Sequence, residues 1–299
     1  DIILSYFVYF SDQDKIRISN AIDKERELFL RLKNNYLDLI KKEFKFKKSK
    51  VSPNFRQSIK LENVLFIAAD TIRSRGYAQA LLENQFKISD SIIITSDSNS
   101  KKLGKCLSPP SQTKQSLNGI FNPNLEIPLI ETVKEISSNN KIINTGTINS
   151  SEIKDYITKI KPNLIIYSGF GGEIVSNELL NVGIPFLHFH SGELPAFKGS
   201  TTIYYSLLQQ GTCGVSAIIL SSEIDAGSIV AIKNYGKPNS KFNLDYEFDT
   251  AIRADLLVQV MSDYLQNNHK LPLHEKNNHG GETYYVIHPL LKHLAMIHI

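Results

Sequence analysis

The chain has no tryptophan, two cysteines and two methionines in 299 residues. Two cysteines, Cys106 and Cys213, cannot build a disulfide framework, which excludes the small stapled domains of the secretory route and leaves a reducing, cytoplasmic setting as the plain expectation. Long apolar runs are missing as well. The stretch from Ile2 to Phe10 is apolar and aromatic but too short to cross a bilayer. It also lacks the basic flank and small-residue cleavage site of a signal peptide. An excess of one charge sign is absent too, with 34 Lys and Arg against 30 Asp and Glu. Six lysines between Lys41 and Lys50 supply much of the net +4. They read as a solvated helix end rather than a nucleic-acid patch. What remains, 41% hydrophobic and 21% charged residues, is the make-up of an ordinary globular chain.

Periodicity then sets the elements. Alternation predicts a strand within residues 2–10, and an apolar stripe at helical spacing predicts a helix over 14–48 that Ser52-Pro53 ends. Val64 to Ala69 is a continuous apolar run, as expected of a strand buried on both faces. A helix follows from Tyr77 to Phe86, then a strand at Ser91–Thr95 and a Ser-, Asn-, Pro- and Lys-rich loop over 96–125. Further on, helices at 151–160, 177–180, 202–210 and 245–266 alternate with strands at 164–167, 186–190, 215–220 and 229–232. A short strand at 283–287 and a short helix at 290–297 close the chain. This order predicts an α/β fold with a doubly wound, mostly parallel, Rossmann-like sheet. The expected division is a leader at 1–60, a core at 61–232 and a small, mostly helical appendage at 233–299. Ligands of such sheets sit beyond the carboxyl ends of the strands.

The chemistry-bearing stretch lies at that end. It runs His188-Phe189-His190-Ser191-Gly192-Glu193-Leu194-Pro195-Ala196-Phe197-Lys198-Gly199, and Ser221-Ser222-Glu223-Ile224-Asp225-Ala226-Gly227 follows it. Leu194-Pro195 sets the backbone after the strand, and Gly199 allows close approach before a helix. His188 and His190 share a strand face because side chains alternate with period two. Gly169-Phe170-Gly171-Gly172 is not a dinucleotide loop: its glycine spacing is wrong and it does not follow the first strand. Asp70-Thr71-Ile72-Arg73-Ser74-Arg75-Gly76 opens a helix, so Arg73 or Arg75 is a candidate anion contact. Six histidines in the tail, His269, His274, His279, His288, His293 and His298, lack metal-ligand spacing, so no metal site is expected.

In order and spacing these motifs resemble the folate-dependent formyltransferases, whose pattern is Asn-x-His, Ser-x-Leu-Pro, Gly and Asp-x-Gly. The resemblance covers about residues 62–232 and breaks where His188 stands for Asn. It implies formyl transfer from 10-formyltetrahydrofolate to a primary amine. His190 is then the general acid/base and oxyanion partner, and Asp225 orients it and a water. His188, in the place of a neutral donor, completes the catalytic set. The resemblance sets the pterin against Phe170, Gly171, Gly172, Glu173 and Ile174, and against Ser221, Ser222, Glu223 and Ile224. Ser191, Lys198, Gly199, Arg73 and Arg75 are the candidate acceptor contacts. By elimination the acceptor is a small-molecule amine, an amino sugar or a specialised metabolite. No membrane or nucleic-acid partner is expected, and a homodimer stays open. Two alternatives remain: a hydrolase that passes the formyl group to water, and a degenerate binding protein on the same fold.

Overall fold

The computed structural model describes residues 58–96, 117, 119–238, 242–272 and 278–297, so the elements expected at 2–10 and 14–48 lie outside the described residues. All of these residues fall in one compact unit, Gln57–Ile299. Seven strands form the main sheet: β1 (Ile59–Ala69), β2 (Phe86–Ile94), β3 (Ser137–Ile143), β4 (Leu164–Ser168), β5 (Phe186–His190), β7 (Thr212–Ile219) and β8 (Ile229–Gly236). Their spatial order is β3-β2-β1-β4-β5-β7-β8. The pairs from β3 through to β5 are parallel, while β7 runs antiparallel to both β5 and β8. A two-stranded parallel ribbon joins β6 (Phe197–Gly199) to β9 (Glu282–Tyr284).

Helices cover both faces because the central strands are apolar on both. In β1, Val64, Phe66 and Ala68 point into one core, and Leu65, Ile67 and Ala69 into the other. The first core packs α1 (Ile72–Glu83), α2 (Leu129–Ile136), α5 (Thr202–Gln210) and α6 (Asp249–Gln266) on the sheet. The second packs α3 (Ser151–Ile160) and α4 (Asn177–Leu180). Burial of each large apolar side chain contributes roughly 1.5–3 kcal/mol. A single π-helical turn, Leu244–Phe248, leads into α6, and α7 (Pro289–Ile297) ends the described chain. Among the described residues no helix is long and apolar enough to cross a membrane.

The expected doubly wound sheet is present, with three local differences. β1 begins at Ile59 rather than in the apolar run, and β2 begins at Phe86, where the helix pattern had been continued. β3 and α2 were not anticipated. β3 reads Ser-Ser-Asn-Asn-Lys-Ile-Ile and lies at the sheet edge, largely exposed, so it carries no core signature.

The sheet topology creates the cleft. The chain order reverses between β1 and β4, the switch point where such sheets leave a crevice. Phe186, His188 and His190 face the α3–α4 side of β5, while Leu187 and Phe189 enter the other core. Beyond α4 that side is covered by loops: Ser216 on β7 receives a hydrogen bond from the Leu194 N–H and donates one to the Gly192 carbonyl, at 3.0 and 2.7 Å.

Candidate active site

His190 ends β5 with both ring nitrogens facing acceptors. Nε2 lies 2.7 Å from the Phe197 carbonyl, and Nδ1 lies 3.4 Å from Asp225 Oδ1. A carbonyl only accepts, so the neutral ring carries its hydrogen on Nε2 and offers a bare Nδ1 to the cleft. A proton arriving at Nδ1 then meets the Asp225 carboxylate. Burial pulls the His190 pKa below the ordinary histidine value, and Asp225 opposes that pull. The close packing needs Gly192, where an added Cβ would lie 2.8 Å from His190 Nε2 and 2.6 Å from the Phe197 oxygen.

Asp225 reaches His190 by an indirect route. β7 is antiparallel to β5, so it ends beside Leu187, where the Leu220 N–H bonds the Phe186 carbonyl at 2.9 Å. The loop then folds back to His190 rather than emerging at the carboxyl end of a parallel strand. Asp225 sits at φ 52° in this turn. Its Oδ2 accepts from the Gly199 N–H at 2.8 Å. Its carbonyl, with that of Gly227, accepts from Asn278 Nδ2 at 2.6 and 3.0 Å. The Gly of Asp-x-Gly is sterically required, since a Cβ at Gly227 would lie 1.7 Å from the Ile219 oxygen.

His188 borders the cleft beside Tyr167, their rings 6.2 Å apart. Its Nδ1 is buried and has no hydrogen-bond partner. Burial, then the charges of Arg73 and Arg253, hold its pKa well below the ordinary value, so the ring is neutral near pH 7. Tyr167 donates to Glu173 Oε2 at 3.3 Å, while Glu173 Oε1 accepts from the Ile148 N–H at 2.9 Å. Burial and Glu173 push the Tyr167 pKa up. Gly169 makes room for this phenol: a Cβ there would stand 1.9 Å from its oxygen.

These groups line a cleft of about 530 Å³, within the usual range of small-molecule sites. Of the residues singled out in the sequence, Phe170, Gly171, Gly172, Glu173, Ile174, His188, His190, Ser191, Gly199, Ile224, Asp225 and Arg73 border it. Five expected residues do not. Ser221, Ser222 and Glu223 form an exposed turn closed by the Ser221 hydroxyl on the Glu223 carbonyl. Lys198 is turned inward and donates to the Asn278 carbonyl at 3.0 Å. Arg75 points toward the chain before α2, where it bonds the Leu125 carbonyl at 2.8 Å and pairs with Asp70.

Sequence reading missed the far wall. Tyr204, Asp245, Asp249, Arg253, Tyr285 and Val286 border the cleft. Arg253 bonds the Phe189 carbonyl at 2.6 Å and pairs with Asp249 one helical turn earlier. The only available signal was that i, i+4 pair on a largely apolar helix, which is the pattern of any surface ion pair. Arg73 Nε, His188 Nδ1 and Ser191 Oγ, all of cleft residues, are closed off from solvent and lack hydrogen-bond partners. Among the described residues no group of three or more His, Cys, Asp and Glu stands where it could hold a metal ion.

Residues 112–236 match the family model described as formyl transferase. Methionyl-tRNA formyltransferase of Finegoldia magna is 27% identical over 176 residues, covering 52% of this chain and 56% of that protein. The Hydrogenobaculum enzyme of the same name is 25% identical over 222 residues, covering 71% and 62%. The chain thus spans about half the length of the curated relatives it matches. A sugar N-formyltransferase from a Shewanella species aligns with TM-score 0.48 and 16% identity, over 79% of this chain and 87% of that one. A phosphoribosylglycinamide formyltransferase from Anaplasma phagocytophilum aligns with TM-score 0.49 and 12% identity, over 77% and 99%. The match to the formyl transferase family model covers residues 112–236 and spans His188, His190 and Asp225, the groups that the fold gathers around one cleft.

Proposed function

We propose that this chain is an N-formyltransferase that moves a formyl group from 10-formyltetrahydrofolate to the primary amine of a small molecule. The observation that carries the reading is the His190–Asp225 pair, 3.4 Å apart on the wall of a ligand-sized cleft. Phe170 to Ile174 and Ile224 would hold the donor's ring system, through backbone groups and apolar contact. When bound, the donor supplies an activated formyl carbon attached to N10. In the overall exchange the amine forms a new C–N bond, the C–N10 bond breaks, and one proton leaves the amine and ends on N10.

The residues of this chain handle that proton. His190 Nδ1 accepts it, and the resulting imidazolium is held on both sides, by Asp225 and by the Phe197 carbonyl. The same group then returns the proton to the leaving nitrogen. Asp225 is itself held by the Gly199 N–H, so its carboxylate stays aimed at the ring. A neutral His188 beside the Arg73 charge fits a site where negative charge develops on the formyl oxygen. With Cys213 buried and unpaired, a cytoplasmic setting belongs to the same proposal.

The test is direct. 10-Formyltetrahydrofolate is offered with a panel of amino sugars and other small amines, and with methionyl-tRNA, because the curated relatives carry that name. Formate release without any amine is followed alongside. His190→Ala and Asp225→Asn are expected to lose roughly 10²–10⁴-fold in turnover while remaining folded. The acid limb of kcat/KM should lie below the ordinary histidine value of about 6.5. In Asp225→Asn it should move further toward acid, since the carboxylate that raises the His190 pKa is gone. Full activity in both variants refutes the proposal, and formate release alone converts it to hydrolysis.

A further inference from the structure

The residue between the two cleft histidines is held from two sides. The Phe189 ring enters the core and meets the Tyr77 ring edge-on, with centroids 5.7 Å apart. Its carbonyl accepts from Arg253 Nη1 at 2.6 Å. Along a strand, successive carbonyls point to opposite edges. The Pro185 carbonyl bonds the Ile165 N–H of β4, and the Phe186 carbonyl bonds the Leu220 N–H beyond β7, at 3.0 and 2.9 Å. By that alternation the Phe189 carbonyl faces the β4 edge. The β4–β5 ladder runs through Phe186 and Leu187 and stops there, whereas β7 stays paired as far as His190. Among the described residues, the end of β5 that carries both histidines thus has a strand on one edge alone. On the other edge Arg253 takes the place of a strand.

Arg253 is suited to that place. It is rooted in α6, whose Ala251, Ile252, Ala254, Leu256 and Leu257 are buried, so its stem starts from a fixed point. Its Nε pairs with Asp249 one turn earlier at 3.0 Å, and the two side chains are only 12% and 14% exposed. Asp249 is the first residue of α6, where the helix dipole favours a carboxylate. One planar guanidinium therefore meets two acceptors in fixed directions, which an ammonium does not reproduce. The charged and titratable groups that act on His190 are Asp225 from the turn after β7, and Arg253 and Asp249 from α6, with His188 on its own strand. Burial pulls the His190 pKa down; Asp225 opposes that pull, Arg253 adds to it and Asp249 opposes it again. At His188, burial, Arg73, Arg253 and His190 all act downward.

We infer that Arg253 is a positioning residue for formyl transfer: through the Phe189 carbonyl it fixes the open-edged end of β5, and with it the placing of His190 against Asp225. The inference rests on the formyl-transfer reading for its kinetic consequence, but the hold on β5 does not. Displacing a reacting group by about 1 Å can cost on the order of 10²-fold in rate, so a single backbone tie at this point reaches the chemistry without touching a ligand.

The experiment uses the full chain, with NMR titration of the His190 ring, the His190 amide signal and steady-state formyl transfer read on the same samples. Arg253→Met removes both donors. It should lower kcat about 10–100-fold with little change in the KM for 10-formyltetrahydrofolate. The His190 amide, whose peptide group carries the bonded carbonyl, should shift. The His190 titration and the acid limb of kcat/KM should move toward higher pH, opposite to the move expected in Asp225→Asn. Arg253→Lys keeps the charge, so it should restore the titration and only part of kcat. Lys233→Gln breaks a different ion pair of α6, with Asp255 at 2.6 Å, and should change none of these readouts. Arg253→Met leaves Asp249 buried without its partner, so the double variant Asp249→Asn/Arg253→Met serves if the single one fails to fold. Wild-type kcat in either folded variant overturns the inference. So does a fall in kcat that only tracks the lost folded fraction, with the His190 amide and titration unmoved. If the wild-type chain transfers no formyl group while the amide and titration still move in Arg253→Met, the formyl-transfer reading falls and the hold on β5 stands; if neither moves, both fall.

Discussion

His188 and His190 stand two residues apart on one face of β5, yet their surroundings differ. His190 has an acceptor on each ring nitrogen, whereas His188 has cations nearby and a buried Nδ1 without a partner. The sign of the stability effect follows. Folded His188 titrates well below the unfolded value of about 6.5, so within that window the unfolded chain binds the extra proton. Stability from His188 is therefore present above pH 6.5 and is lost as pH falls toward the folded pKa. His188→Asn should flatten the fall in urea midpoint between about pH 7 and 5.5, and the slope that survives should belong to His190, whose pKa is also depressed. An unchanged slope would mean that His188 is not held neutral. The motif residues were readable because strand alternation and a Leu-Pro turn are local. Arg253 was not, because what makes it a site residue is its bond to the Phe189 carbonyl, made far away in the chain.

Among the elements, the β6–β9 ribbon has a narrow tolerance. Gly199 has φ 96°, and a Cβ there would lie 2.1 Å from the Tyr284 oxygen. Tyr284 in turn stacks on Phe197 with ring centroids 5.6 Å apart and lies 4.4 Å from the Tyr205 ring. Gly199→Ala combines backbone strain with a steric conflict, so a loss of about 1–3 kcal/mol is expected from denaturant unfolding. The same variant should weaken donor binding, because Tyr285 and Val286 continue from β9 into the cleft wall. Stability and binding both at the wild-type level would show that the ribbon tolerates separation. Element by element, legibility tracked burial. β5 and α3 matched their expected spans because each carries an uninterrupted periodic signal. The three-residue β6 has no period to read, β9 covers only the start of the strand expected at 283–287, and polar β3 has the composition of a loop.

For the molecule as a whole, the segment after α6 ties the site together instead of standing apart as an appendage. Asn278 holds the Asp225 and Gly227 carbonyls through one amide and receives Lys198 on its own carbonyl. Gly281 passes so close to Pro195 that a Cβ would lie 1.7 Å from its oxygen. Asn278→Ala is expected to cost about 1–3 kcal/mol, as two buried carbonyls lose their donor. Turnover should drop more than melting temperature would suggest, because the turn that carries Asp225 is released. A loss of stability with kcat unchanged would reduce Asn278 to a structural tie. This closure could not be read from sequence, since nothing local marks Asn278 as the partner of a turn some fifty positions earlier.

The antiparallel course of β7 has one more consequence. His190 and Asp225 are carried by a single stretch of chain in which the antiparallel sheet neighbours β5 and β7 are separated by β6 and α5. Bringing the two together closes a loop of about 35 residues, whose entropic cost rises only slowly with length. The reacting pair can therefore form within this one stretch before the parallel half of the sheet, with its crossovers, has assembled. Damage to the distant β3 edge would then lower the stability of the molecule without first parting the acid from its base.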